Sequence, residues 1–161
     1  MFTNLSTHLP THLPHFLLRI LGSLCLLFSL CFSSRVMAAE PVKAIKVVYH
    51  LADGVEQAAR AMLNVRNHLQ AEPTTKIVVV ALSNGVDFLI EGATVKSSGK
   101  PFEPTVAALA AQGVEFRVCN NTLQGRDISP NKLLLEAKMV PSGVAEIARL
   151  QAKEGYVYLR P

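Results

Sequence analysis

Cysteine is scarce in this chain of 161 residues, and where it is missing matters. Two of the three cysteines, Cys25 and Cys31, lie in an N-terminal stretch that reads as a leader. Cys119 alone remains beyond it. A domain with one cysteine cannot be stapled by internal disulfides, so its stability must come from a core or from subunit contacts. Basic runs and interleaved arginine and aromatic residues are also absent, which argues against nucleic acid as a partner. Neither a Walker A loop nor the dinucleotide-binding glycine pattern occurs. No Gly-x-Ser-x-Gly elbow is present, which sets aside a serine hydrolase. The His and Cys residues have no zinc spacing, so neither a metal nor a cofactor is expected. After the leader there is no internal repeat and no low-complexity tract.

Residues 1–38 have the parts of a secretory signal. Arg19 supplies a positive charge, Ile20 to Phe32 is an uncharged, largely apolar run, and Val36-Met37-Ala38 offers small residues for cleavage. The run of 13 residues is short of the roughly 20 needed to span a bilayer, so no stable membrane anchor is expected. His8, His12 and His15 fall in an extended segment before Arg19 and read as part of it, not as a metal site. The residue before each leader cysteine is leucine, unlike a lipid-attachment site. The expectation is export to the periplasm or medium with cleavage near Ala38. Residues 39–161 then form one domain. Arg19 and Arg35 leave with the leader, so 14 of 16 Lys/Arg face 12 Asp/Glu, a mild net charge of +2.

The domain alternates strand and helix signals. Ala44 to Leu51 reads as a strand. Asp53 reads as the cap of a helix with Val55, Ala58, Ala59, Met62, Leu63 and Leu69 on its apolar face. Ile77 to Leu82 is a continuous apolar run, the mark of a parallel strand buried on both faces. Ser83-Asn84-Gly85 reads as a turn, Asp87 to Ala93 as a short helix, and Pro104 to Gln112 as a helix stopped by Gly113. Val114 to Cys119 is a third strand. Ser129-Pro130 is a helix-start signal. Lys138 to Val140 is a short fourth strand. Ser142 caps a helix with Val144, Ile147 and Ala148 inward, and Tyr156 to Leu159 closes the domain as the fifth strand. The pattern predicts a three-layer α/β/α domain with a five-stranded, mostly parallel sheet.

Sites in such sheets form outside the carboxyl ends of the strands. Here those ends are His50 to Gly54, Ser83 to Gly85, Cys119 to Asn121 and Pro141 to Gly143. Strand alternation puts Glu115, Arg117 and Cys119 on one face. A face carrying Glu and Arg predicts an edge strand or a subunit contact. Arg117, Arg126 and a helical turn after Cys119 would each favour a thiolate. A buried, inert cysteine is the competing reading, and the residues alone leave both open. His50 is the one histidine on the rim: it is either a base for Cys119 or a histidine bonded to backbone. His68 reads as solvated, beside Asn64 and Asn67. Asn84-Gly85 reads as a turn in preference to a phosphate cradle. Asn120-Asn121-Thr122 fits a glycosylation sequon.

Several segments together resemble one family. These are Val47-Val48-Tyr49-His50-Leu51, Asn64 to Leu69, Gly113-Val114 through Cys119-Asn120-Asn121-Thr122-Leu123, Val140-Pro141-Ser142-Gly143-Val144 and Gly155-Tyr156. In order and content they resemble the DsrE/DsrF-like proteins, above all a small exported branch, across residues 44–161. The resemblance implies a five-stranded parallel α/β/α fold and homo-oligomers, often trimers or hexamers. It implies a sulfur-relay role in which a cysteine persulfide exchanges sulfur with donor and acceptor proteins. The sulfur-carrying cysteine of the relatives falls at Cys119. His50, Asn84, Gly85, Arg117, Asn120 and Asn121 are the accompanying candidate binding residues. Many relatives have a His-Gly-rich turn where this chain has Leu82-Ser83-Asn84-Gly85. The alternative reading is a non-catalytic homo-oligomeric binding module with a structural cysteine.

Overall fold

A computed structural model describes residues 43–161. The leader, its two cysteines and its expected cleavage point lie outside the described residues. Five strands, β1 (Lys46–Leu51), β2 (Lys76–Ala81), β3 (Glu115–Cys119), β4 (Ala137–Val140) and β5 (Val157–Leu159), form one sheet in the order β4-β3-β2-β1-β5. Every neighbouring pair is parallel. The helices are α1 (Val55–Ala71), α2 (Glu103–Ala111), the short α3 (Asn120–Gly125) and α4 (Gly143–Glu154), with 3-10 segments at Ser83–Leu89 and Pro130–Lys132. None of these helices is long and apolar enough to cross a membrane.

The two faces of the sheet are covered unequally. Val47, Tyr49, Leu51, Ile77, Val79, Ala81, Phe116 and Val118 pack in the larger core with Ala58, Met62 and Val65 of α1, Phe88 of the first 3-10 segment and Val106 of α2. Phe88 meets both Phe102 and Phe116 edge-on. On the opposite face Val48, Val78 and Val80 are covered by Ile147 and Leu150 of α4, with Leu82 and Tyr156 packed against them. As its run of β-branched residues predicts, β2 is buried on both sides from Ile77 to Ala81.

Local structure departs from the sequence reading at four places. Asp53 does not cap α1: Gly54 holds that position, and Asp53 instead accepts from Arg160 Nη2 at 2.9 Å. Gln57 of the first turn, 1% exposed, reaches back past the cap: its Oε1 accepts from the N–H groups of Ala52 and Asp53, both at 2.8 Å. Leu63 lies outside the apolar face at 47% exposed, and Ala61 and Val65 turn inward in its place. The expected helix from Asp87 to Ala93 is a 3-10 segment that starts earlier, at Ser83, so that Val86, Phe88 and Leu89 drop into the core. In α4 the buried residues are Gly143, Ile147 and Leu150, one every three to four positions; Val144 and Ala148 point outward.

The Glu/Arg face of β3 does not mark an edge. β3 lies between β2 and β4. Its charges face α4, where Arg117 pairs with Glu146 while also donating to Glu115 Oε2 at 2.9 Å. Glu146 in turn accepts from Arg149 at 2.8 Å, and Arg149 also pairs with Glu154.

Candidate functional site

Cys119 ends β3 and occupies the N-cap position of α3. The chain turns into a helix directly after it, so the first N–H groups of α3 have no partner within the helix. Those of Asn121 and Thr122, and the Thr122 hydroxyl beside them, favour the charged form of the thiol. A fourth donor comes from a distant part of the sequence, the N–H of Gly143 at the start of α4. The neutral thiol, a weak acceptor, closes no cap bond. The thiolate is the form these donors favour. Burial pushes the Cys119 thiol up, but the Thr122 hydroxyl and the N–H groups of Gly143, Thr122 and Asn121 outweigh it and bring the thiol below its ordinary value.

Gly143 makes this approach feasible. A β-carbon placed there would sit 3.0 Å from Leu82 Cδ2 and 3.1 Å from Cys119 Cβ. With no side chain at this position, the start of α4 comes this close to the rim without displacing Leu82 or Cys119. Ser142 holds the helix start with its own side chain, accepting from Ala145 N at 3.4 Å. The Asn121 N–H also reaches the Pro141 carbonyl at 3.3 Å, tying α3 to the segment that leads into α4. The result is a Cys119 only 6% exposed, set where the ends of β2, β3 and β4 meet.

The structure distributes the other candidate residues. Arg117 shares the Cys119 face, but its guanidinium is taken up by Glu115 and Glu146. Two carboxylates thus offset its charge beside the rim. Burial pulls the Arg117 pKa down, yet the bonds to Glu115 and Glu146 leave it raised overall. Arg126 likewise spends its charge on Asp87, at 2.8 Å.

His50 is on the same sheet face as Cys119, in register with Val80, which is in register with Arg117. That leaves all of β2 between them, roughly 10 Å of sheet. The His50 partner is Tyr158 of β5: its Nδ1 lies 2.7 Å from the phenolic oxygen. His50 Nε2 is buried and has no hydrogen-bond partner among the described residues. Burial, then the nearby Arg160, lowers the His50 pKa, with Asp53 opposing. His50 is thus a neutral, strand-bridging histidine and makes no bond to Cys119.

Gly85 serves packing. A β-carbon on it would fall 2.1 Å from the Leu51 carbonyl oxygen, so only glycine lets the first 3-10 segment press on the end of β1. Asn84 is exposed and lies against Gly54, on the β1 side of the rim. Asn120 and Asn121 begin α3 beside the sulfur, the latter contributing its backbone. His68 is not simply solvated: its Nδ1 is 3.0 Å from the hydroxyl of buried Tyr49.

Sequence reading missed Thr122 and Gly143 as partners of Cys119. For Thr122 the signal was present: a hydroxyl three residues after an N-cap is in reach of it. For Gly143 it was not, because nothing local says that the start of α4 closes over β3. Among the described residues no three His, Cys, Asp or Glu side chains cluster as metal ligands.

Comparison with known proteins agrees with this architecture. The chain matches the DsrE/DsrF-like family over residues 43–161. It is 34% identical to a solved protein of unknown function, MTH1491 from Methanobacterium thermoautotrophicum, over 73% of this chain and 99% of that one, with a TM-score of 0.64. The ychN protein of E. coli shares the fold at 20% identity, with a TM-score of 0.56 and coverage of 73% and 98%. No curated protein matches. With its five parallel strands, its four helices and a family match spanning the whole described domain, this chain belongs to the DsrE/DsrF-like family.

Proposed function

We propose that this protein carries sulfane sulfur on Cys119. Its family is associated with sulfur relay. The observation that carries the reading is the set of neutral donors gathered on one sulfur at the carboxyl rim. The chemistry is a pair of exchanges without net oxidation. The Cys119 thiolate attacks the outer sulfur of a donor persulfide; the donor S–S bond breaks and the donor thiolate leaves. An acceptor thiolate then attacks the outer sulfur of the Cys119 persulfide, and the Cys119 thiolate is released. In both steps, charge on Sγ meets the N–H groups of Gly143, Thr122 and Asn121.

In this proposal the chain is exported, loses its leader near Ala38 and works as a homo-oligomer, a trimer or hexamer, with donor and acceptor proteins. Support for self-association comes from the surface. Leu135 is 97% exposed, Val144 68%, Val157 56% and Met139 52%, and β4 and β5 are open edges of the sheet. One observation favours the second reading, a binding module with a structural cysteine: Cys119 is only 6% exposed. Treating the native protein with a persulfide donor and weighing it intact separates the two. A carrier gains sulfur on Cys119; a module with a sealed cysteine does not.

A further inference from the structure

The hydroxyl beside the Cys119 sulfur is itself held from behind. The Ser83 N–H donates to Thr122 Oγ1 at 3.0 Å. That bond uses the oxygen as an acceptor, so the single hydroxyl proton is left to point elsewhere, and Cys119 is the N-cap three residues before, within reach of it. Ser83 is also fixed. It has φ 50°, a left-handed conformation that a non-glycine residue keeps only when its surroundings hold it there. Its carbonyl accepts from Arg126 Nη1 at 3.0 Å, and Arg126 pairs with Asp87 Oδ1 at 2.8 Å. Asp87 belongs to the 3-10 segment that Ser83 opens, and Arg126 is the C-cap of α3. Two rim segments are thereby clasped: Asp87 to Arg126, Arg126 to Ser83, Ser83 to Thr122.

We propose that this clasp aims the Thr122 proton at Cys119, so that Thr122 poises the sulfur as an anion and Ser83 and Arg126 are positioning residues acting through it. The inference rests on the sulfur-carrier reading only for its use there. When an acceptor thiolate takes the outer sulfur, the inner sulfur leaves as a thiolate, and the Thr122 hydroxyl is placed to meet that charge. Other charges near the thiol are already engaged. Arg117 of β3 binds Glu115 and Glu146 of α4, Lys138 of β4 faces Glu115 at 3.8 Å, and Asp87 holds Arg126. The Thr122 hydroxyl and the N–H groups that favour the thiolate are neutral donors.

The test is the pH profile of iodoacetamide alkylation at Cys119, read by mass spectrometry of its peptide in the full chain. Thr122→Val should slow alkylation near neutral pH about tenfold, the size of one charge-assisted hydrogen bond, with the plateau at high pH unchanged. Thr122→Ser should restore the wild-type profile. Arg126→Gln should move it in the same direction as Thr122→Val, by less. If Thr122→Val does not fold, Thr122→Ala against Thr122→Ser makes the same comparison. A wild-type profile in the hydroxyl-less variant, or a serine variant as slow as valine, overturns the role of Thr122. An unmoved profile in Arg126→Gln overturns the clasp. Wild-type protein that takes up no sulfur yet shows the Thr122 effect sinks the carrier reading and leaves this inference standing.

Discussion

Gly143 and Cys119 touch across the carboxyl rim of the sheet: a β-carbon on the first would lie 3.1 Å from Cβ of the second. Residues 24 apart in sequence are thus joined at van der Waals contact. The contact fixes the N-terminus of α4 over the end of β3, and with it one N–H donor on the sulfur. Gly143→Ala should therefore push the helix start away from Leu82 and Cys119. The expected cost is about 1–3 kcal/mol of stability, as for an overpacked core, together with slower alkylation of Cys119 at neutral pH. Urea unfolding and the alkylation rate check this; wild-type values in both would show that the contact is slack.

Arg117→Ala should behave differently. Its guanidinium serves Glu115 and Glu146, and the Glu146 side chain is 11% exposed. The substitution should lower stability by about 1–3 kcal/mol, because a mostly buried carboxylate loses a partner. The pH profile of Cys119 alkylation should stay in place. A clear upward move of that profile would mean that the Arg117 charge reaches the thiol after all.

Acid should loosen the α4 contact with β3. The bond from Arg149 holds the Glu146 pKa below its ordinary value; burial opposes, and Arg117 adds to the lowering. A carboxylate whose folded pKa is depressed stabilises the fold above its unfolded value of about 4.5. That contribution is lost as pH falls through the lower, folded value. Thermal unfolding of the wild type against Glu146→Gln should show a stability advantage for the wild type that narrows below pH 4.5. A difference constant from pH 7 to pH 3 would contradict this.

Much of this architecture was legible in the sequence. The unbroken run at Ile77 to Ala81 announced a central parallel strand, and alternation in Val114 to Cys119 placed the cysteine at a strand end opposite Phe116 and Val118. What was not legible depends on contacts between distant segments. The charges on β3 looked like an edge because their partner, Glu146, lies 29 residues beyond Arg117. The pairing of His50 with Tyr158 spans 108 residues and needs β5 to lie beside β1. Asp53 had the chemistry of a cap but lost the position to Gly54, and its carboxylate is held by Arg160, 107 residues further on.

His50 should titrate below the ordinary histidine value of 6.5, because burial and then Arg160 disfavour its charged form. Folded protein resists that proton while the unfolded chain accepts it, so this residue destabilises the fold as pH falls through 6.5. The imidazole resonances of His50, assigned by comparison with His50→Gln, should show a midpoint below 6.5. A midpoint at or above it would mean that Tyr158 and Asp53 stabilise the imidazolium.

The most direct test of the account is the mass of the intact native protein after exposure to a persulfide donor. Wild-type protein should gain sulfur, localised to Cys119, and lose it again to a thiol acceptor; Cys119→Ser should gain none at that position. Native protein that takes up no sulfur and resists alkylation, yet is labelled at Cys119 once unfolded, would contradict the carrier reading and make the cysteine a packed structural residue.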